Sequence, residues 1–162
     1  MIRVFETEHI YFVRPSERLV PDYLAMVNDI ENVRRFIAMN RNTQPITEQQ
    51  ERQWIRKKLA EGTPVFSMLE RDTGGFIGNI EFMDAVDAVA ELGIAITANM
   101  QDRGYGTEAI TAMVRYGMDR LGLRRVFLKV FPDNARAIHV YEKCGFREYD
   151  RTEDDVFMEI TR

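Results

Sequence analysis

The stretch QDRGYGTEAITAMVRYGM, Gln101 to Met118, decides how the chain is read. Gly104 and Gly106 stand just ahead of a helical pattern, where glycine leaves no Cβ between backbone N–H groups and a ligand. The first turn of a helix adds unpaired donors and the positive end of the dipole, so this turn suits an anion. Two glycines alone say little, because turns also use glycine for purely conformational reasons. The flanking sequence has to carry the reading.

Downstream, Ala109, Ile110, Met113, Val114, Gly117, Met118 and Leu121 recur with helical period, and Gly122 supplies the stop. Residues 126–131 read as a buried strand, and Asn134 as the cap of a second helix reaching Lys143, with Ala137, Ile138 and Tyr141 on its inner side. Gly145 ends that helix, and residues 146–149 and 156–160 form a closing pair of strands. Upstream, residues 9–14 read as a first strand stopped by Pro15, and 21–38 as helical with a break near Asn28 and Asp29. Thr47 with Gln50 is a capping-box pattern opening a helix with Trp54, Ile55 and Leu59 on one face, ending near Gly62. Residues 65–70 and 76–83 form a hairpin, and 89–97 a third adjacent strand leading into the glycine turn.

At 162 residues and 45% hydrophobic content, the chain is expected to be a single domain spanning 1–162. A formal charge of −4 and a pI near 5.3 argue against nucleic-acid and anionic-membrane partners and mildly favour amine-bearing ones. No apolar run is long enough to span a bilayer, and the acidic amino terminus lacks a leader's apolar block, so a cytoplasmic location is expected. One cysteine, Cys144, and two distant histidines, His9 and His139, give no disulfide and no metal site.

A dinucleotide-binding unit fits poorly, since the glycines follow antiparallel strands and position 109 is alanine. A mononucleotide P-loop would need Gly-Lys-Ser/Thr after the turn. Gln101, Gly104 and Gly106 instead match Q/R-x-x-G-x-G/A, the acyl-CoA signature of the GCN5-related N-acetyltransferases (GNAT). FPDNARAIHVYEKCGF, Phe131 to Phe146, resembles that family's second block, in the expected order and separation. With the strand ending at Arg14-Pro15, the resemblance covers essentially the whole chain. It is nearest the branch of ribosomal-protein N-terminal and spermidine acetyltransferases. It implies an α+β, three-layer fold: a mixed, mostly antiparallel sheet of six to seven strands, with splayed fourth and fifth strands, flanked by about four helices.

The resemblance implies acetyl-CoA as acyl donor and a primary amine as acceptor: a small amine, a polyamine or a protein amino terminus. Backbone donors from Arg103 through Gly104, Tyr105 and Gly106 to Thr107 would hold the pyrophosphate beside Gln101. The backbone of Leu92, Ile94 and Ile96 would pair with the pantetheine amides as an added strand does. Asn134 matches a position near the cofactor in relatives. Tyr141 matches the proton donor to the departing thiolate, a task a protonated phenol suits; packing on the sheet is its other reading. Proton removal from the amine falls to Glu91 or Glu81, both of which also read as solvated strand residues. Neither gives covalent chemistry, so direct attack in a ternary complex is expected. A homodimer is in keeping with the family. The alternative is a catalytically weak or inactive acyl-CoA-binding regulatory domain.

Other residues read more plainly. Cys144 lacks partners for nucleophilic work and reads as a packed thiol, and His139 should face away from Tyr141. Trp54, Phe36 and Met39 belong to the acceptor wall by family analogy and to the core or rim otherwise. The charges of residues 48–58 read as a solvated helix face. Residues 21–62 and the acidic turn 149–155 would shape the acceptor pocket. Asp102 stands where relatives often carry glycine; beside a pyrophosphate it must point to solvent or pair with a base such as Arg103.

Overall fold

The computed structural model describes residues 1–37 and 44–162. Ala38 and Met39, assigned above to a helix end and an acceptor wall, lie outside the described residues. The strands are β1 (Arg3–Glu6), β2 (Ile10–Val13), β3 (Val65–Glu70), β4 (Phe76–Val86), β5 (Val89–Ile96), β6 (Arg125–Val130), β7 (Arg147–Arg151) and β8 (Val156–Thr161). The helices are α1 (Val20–Val27), α2 (Glu48–Glu61), α3 (Tyr105–Arg120) and α4 (Ala135–Lys143). One eight-stranded sheet runs β1-β2-β3-β4-β5-β6-β8-β7, antiparallel except where β5 meets β6. A parallel neighbour needs a crossover, and α3 provides it.

The sheet has one strand more than expected. β1 was missed because only Phe5 among its four residues is even half-buried, so no alternation marks it. Phe5 nevertheless stacks on Phe12 and Tyr116, at 4.2 and 4.8 Å between ring centroids. β4 runs three residues beyond Met83, with Asp84 in a left-handed bulge and a tight turn of Asp87 and Ala88 that lacks the glycine usual there.

The helix starts follow local chemistry. Thr47 and Gln50 close the expected capping box on α2, and Gly62 ends it in the left-handed conformation. α1 stops at Asn28, the break read from the sequence. α3 buries Ala109, Ile110, Met113, Val114 and Gly117 against the sheet, while Leu121, expected on that face, is exposed and Leu123 packs instead. Gly117 is required by packing: a Cβ there would come within 2.7 Å of the Phe82 ring and 2.9 Å of Leu123.

The two faces carry separate clusters. Phe12, Phe66, Ile80, Leu92, Ile110, Leu128 and Met158 meet under α3 and α4. Val13, Tyr23, Met26, Ile55, Leu69 and Phe76 meet under α1 and α2. Alternation along β5 puts Ala90 and Leu92 in the first cluster, and therefore turns Glu91 and Gly93 toward the α1/α2 face. Along β4 the same rule sends Ile80 and Phe82 one way and Glu81 the other.

Candidate active site

The glycine turn is built as an anion cradle. Gly104, with φ +86°, precedes α3, and no side chain caps the helix, so the donors of its first turn have no side-chain partner. Gly104 is held to glycine by its backbone, with nothing within 4 Å of an added Cβ. Gly106 differs: a Cβ there would make ordinary contacts at 3.5 Å to Ile96 and 3.6 Å to Val140, which suits the glycine-or-alanine choice of the signature. The same two distances show that the end of β5, the first turn of α3 and the middle of α4 converge.

The side chains around the turn do structural work. Gln101 Nε2 donates to the carbonyls of Ile96, at 2.9 Å, and Asn32, at 3.0 Å, tying the turn to β5 and to the segment after α1. Arg103 reaches Glu70 at 3.2 Å and Met100 Sδ at 3.1 Å. The Tyr105 ring is buried and its hydroxyl donates to Glu70. Hydrogen bonds from Thr73 and Tyr105, with the Arg103 charge, hold the Glu70 carboxyl below the usual range against its partial burial. Glu70 thus engages the Tyr105 hydroxyl and one edge of the Arg103 guanidinium, and the backbone N–H groups of both residues lie in the turn that would face an anion. Asp102, with φ +60°, pairs with Arg136 of α4 at 3.3 Å and not with Arg103, which Glu70 occupies.

The expected splay is present, between the fifth and sixth strands in this structure's count. β5 and β6 pair only through Val89–Arg125, Ala90–Val126 and Glu91–Phe127. β5 stays on β4 as far as Ile96 and β6 stays on β8 as far as Val130, so the two diverge from Leu92 onward. From the Leu92 carbonyl through Ile94 to the Ile96 N–H, the β6-facing backbone edge lacks a strand partner, which is what a ligand with amide groups needs, while Gln101 takes the Ile96 carbonyl.

On the α3/α4 side, Asn134 Oδ1 accepts from Ala137 N at 3.3 Å, so its capping role holds. Tyr141 packs at the edge of the large cluster, 6.0 Å from the Phe146 ring, and burial pushes its phenol up to about 12. Its hydroxyl has no hydrogen-bond partner among the described residues, leaving a protonated donor free at neutral pH. His139 is exposed, on the far side of α4. Burial raises the Cys144 thiol, whose Sγ lies 3.7 Å from the Thr107 carbonyl and 3.8 Å from the Thr111 hydroxyl. A thiol held protonated is packing, not a nucleophile.

Glu91 lies on the opposite face, so Tyr141 and Glu91 are not side by side; the divergence of β5 and β6 begins next to Glu91. Burial raises the Glu91 carboxyl, Lys129 opposes the shift, and Asp84 and Glu81 add to it. Glu81 corrects the solvated reading: its side chain is 17% exposed and lies 3.1 Å from Lys58 Nζ. α2 corrects it too. Lys58, at 18% exposure, and Glu51, at 7%, turn inward, while Leu59 is exposed. Charged and apolar residues share the helical period in EQQERQWIRKKL, and apolarity places Trp54 and Ile55 correctly but Leu59 wrongly. Ile55 with Lys58, three apart, was the one available signal. Trp54 joins the α1/α2 cluster, edge-on to Tyr23 at 6.3 Å, and Phe36 is half-buried under the Arg35 guanidinium.

The acetyltransferase (GNAT) domain matches residues 9–147, and the chain belongs to that family. It is 28% identical over 102 residues to the uncharacterized N-acetyltransferase YnaD of Bacillus subtilis, covering 62% of this chain. The match spans 60% of that relative's length. Among solved structures, a GNAT-family acetyltransferase from Bacillus anthracis superposes with a TM-score of 0.83 at 19% identity, covering 99% of this chain and 98% of that one. The spermidine N-acetyltransferase of Vibrio cholerae, solved with CoA and spermine, gives 0.79 at 19% identity over 96% of both chains. These likenesses establish the mixed α+β fold with its open sheet. Among the described residues, no helix is long and apolar enough to cross a membrane.

Proposed function

We propose that this protein is an acetyl-CoA-dependent N-acetyltransferase acting on a primary amine. The observation that carries the reading is the juxtaposition of an uncapped glycine turn at α3 with a strand edge that loses its partner from Leu92 onward. An acyl-CoA offers the pyrophosphate and the amides that these two features match. The first-turn backbone from Gly104 to Thr107 holds the phosphates, Gln101 fixes the turn, and Leu92, Ile94 and Ile96 take the pantetheine arm.

The chemistry divides across the sheet. The thioester is reached through the splay, with the thiolate leaving on the α3/α4 side and the amine approaching from the α1/α2 side. Glu91 takes a proton from the ammonium, directly or through water, and its raised carboxyl makes it a better base than an exposed glutamate. The amine nitrogen bonds to the acyl carbon and releases its second proton to water, the carbon–sulfur bond breaks, and Tyr141 gives its proton to the thiolate. The phenol recovers a proton from solvent once the thiol leaves. A spermidine enzyme among the structural neighbours supports an amine acceptor.

The test is thiol release from acetyl-CoA across a panel of amines, amino acids and peptide amino termini, alongside calorimetric binding of acetyl-CoA. Release with at least one class is expected. Tight binding with no release across the panel would instead make the protein an acyl-CoA-binding domain.

A further inference from the structure

Lys58 is the residue of this site that sequence reasoning placed in solvent. It reaches from α2 to Glu81 on the sheet, 3.1 Å away, and both side chains are more than four-fifths buried. Its ammonium also lies 5.9 Å from the Trp54 ring centroid. Burying two long charged side chains is costly unless the pair does something that an apolar pair would not. The pairing is also incomplete. Glu81 Oε2 is buried and takes no hydrogen bond of proper geometry despite the nearby ammonium, and Thr63 Oγ1, two residues before the strand partner of Glu81, is buried without any partner.

The position of Glu81 matters as much as its burial. It pairs across the sheet with Gly93, two residues from Glu91 and on the same face, so the two carboxylates are diagonal neighbours, roughly 7 Å apart at the backbone. That separation suits a short diamine, with one amine at Glu91 and a second cation at Glu81. Lys58 already supplies the cation at Glu81. Lys129 faces Glu91 from β6 and Asp84 faces it from β4. Among these five groups, three carboxylates against two lysines leave a single net negative charge.

We propose that Lys58 is a specificity-determining residue: by holding Glu81 in an internal ion pair it occupies the second cation position, so the site takes a primary amine bearing one positive charge and rejects short diamines. The proposal rests on the transferase reading above and narrows its acceptor class. It also sets this chain apart from its polyamine-acetylating structural neighbours, whose substrates carry several cations.

The experiment compares kcat/KM for butylamine and 1,4-diaminobutane in the wild type and in Lys58→Met. The wild type is expected to favour butylamine by about tenfold or more, and Lys58→Met to shift the ratio toward the diamine by a similar factor, through KM. Lys58→Arg keeps the cation and should keep the wild-type preference. Should Lys58→Met fold poorly with Glu81 unpaired, Lys58→Gln, which can hydrogen-bond Glu81 without supplying a cation, is expected to shift the ratio toward the diamine, and an unchanged ratio there overturns the proposal. An unchanged ratio in folded Lys58→Met, or a diamine preference in the wild type, overturns the proposal. If neither amine releases thiol although acetyl-CoA binds, the transferase reading fails on its own. Calorimetric titration of both amines into the CoA-bound protein then decides the role of Lys58: diamine binding gained in Lys58→Met supports it, and equal binding in both proteins refutes it.

Discussion

The face of the sheet under α3 and α4 buries Phe12, Ile110, Met113, Leu128 and Met158 in one apolar cluster, whereas the face under α1 and α2 closes over Arg34, Glu51 and Ser67 as well as Tyr23 and Ile55. Some of these polar groups are well served. Ser16 N donates to the Tyr23 hydroxyl, which bonds Ser67, and Ser67 donates to Asn79 at 2.8 Å. Arg34 donates to the carbonyls of Val27 and Gln44. Among the described residues the Glu51 carboxylate has no hydrogen bond or ion pair, and burial raises it. A face shaped only by folding gains nothing from it, which is in keeping with the proposed division of folding chiefly to one side and acceptor chemistry to the other.

The contrast can be broken from either side. Gly117→Val, on the apolar face, should show the largest effect, a loss of about 3 kcal/mol from driving a branched side chain into Phe82 and Leu123, read by urea denaturation. Gly104→Ala should cost about 1.5 kcal/mol from its left-handed backbone and weaken acetyl-CoA binding in calorimetry, because the strain falls on the turn itself. On the polar face the sign reverses: Glu51→Leu should gain about 1 kcal/mol at neutral pH. With a folded-state carboxyl raised above its unfolded value, the wild type binds more protons folded than unfolded, so the Glu51 contribution falls as pH rises through the range above the ordinary glutamate value. That dependence should vanish in Glu51→Gln. A stability loss in Glu51→Leu would mean that the carboxylate is not an uncompensated burial.

The smallest effect lies at the surface. Glu108, in the first turn of α3, accepts from the Thr7 hydroxyl and the His9 backbone and meets His9 Nδ1 at 2.9 Å. That hydrogen bond, with the charges of Glu108 and Glu8, raises the His9 imidazole against slight desolvation. The resulting stabilisation is complete below the unfolded histidine value and is lost as pH rises through the raised one. A small drop in Tm from about pH 6 to pH 8, absent in Glu108→Gln, is the expected reading.

The apolar face was the legible one. The helical period of α3 and the Asn134 cap are local signals that reappear in the structure, and on the other face so does the capping box of α2. The glycine turn was legible because its two glycines stand in a spacing that the flanking strand and helix support. Asp102 is exposed and paired with a base, as its charge requires, but which base it takes was not legible: Glu70 engages Arg103 and Arg136 engages Asp102, partners more than thirty residues away that neither local spacing nor charge pattern announces. α2 shows the deeper limit. Lys58 and Leu59 are adjacent, and only the angle at which the helix meets the sheet decides that the charged one goes in.

The measurement that bears most directly on chemistry divided across the splay is the kinetics of Tyr141→Phe, with acetyl-CoA binding followed in parallel. Loss of the phenol should lower kcat tenfold or more, about 1.4 kcal/mol or above, while acetyl-CoA binds as in the wild type. Because burial holds this phenol up to about 12, the wild-type rate should show no loss from its ionisation below about pH 10. Unchanged turnover in a folded Tyr141→Phe protein would take the proton donor off the α3/α4 side and contradict the division.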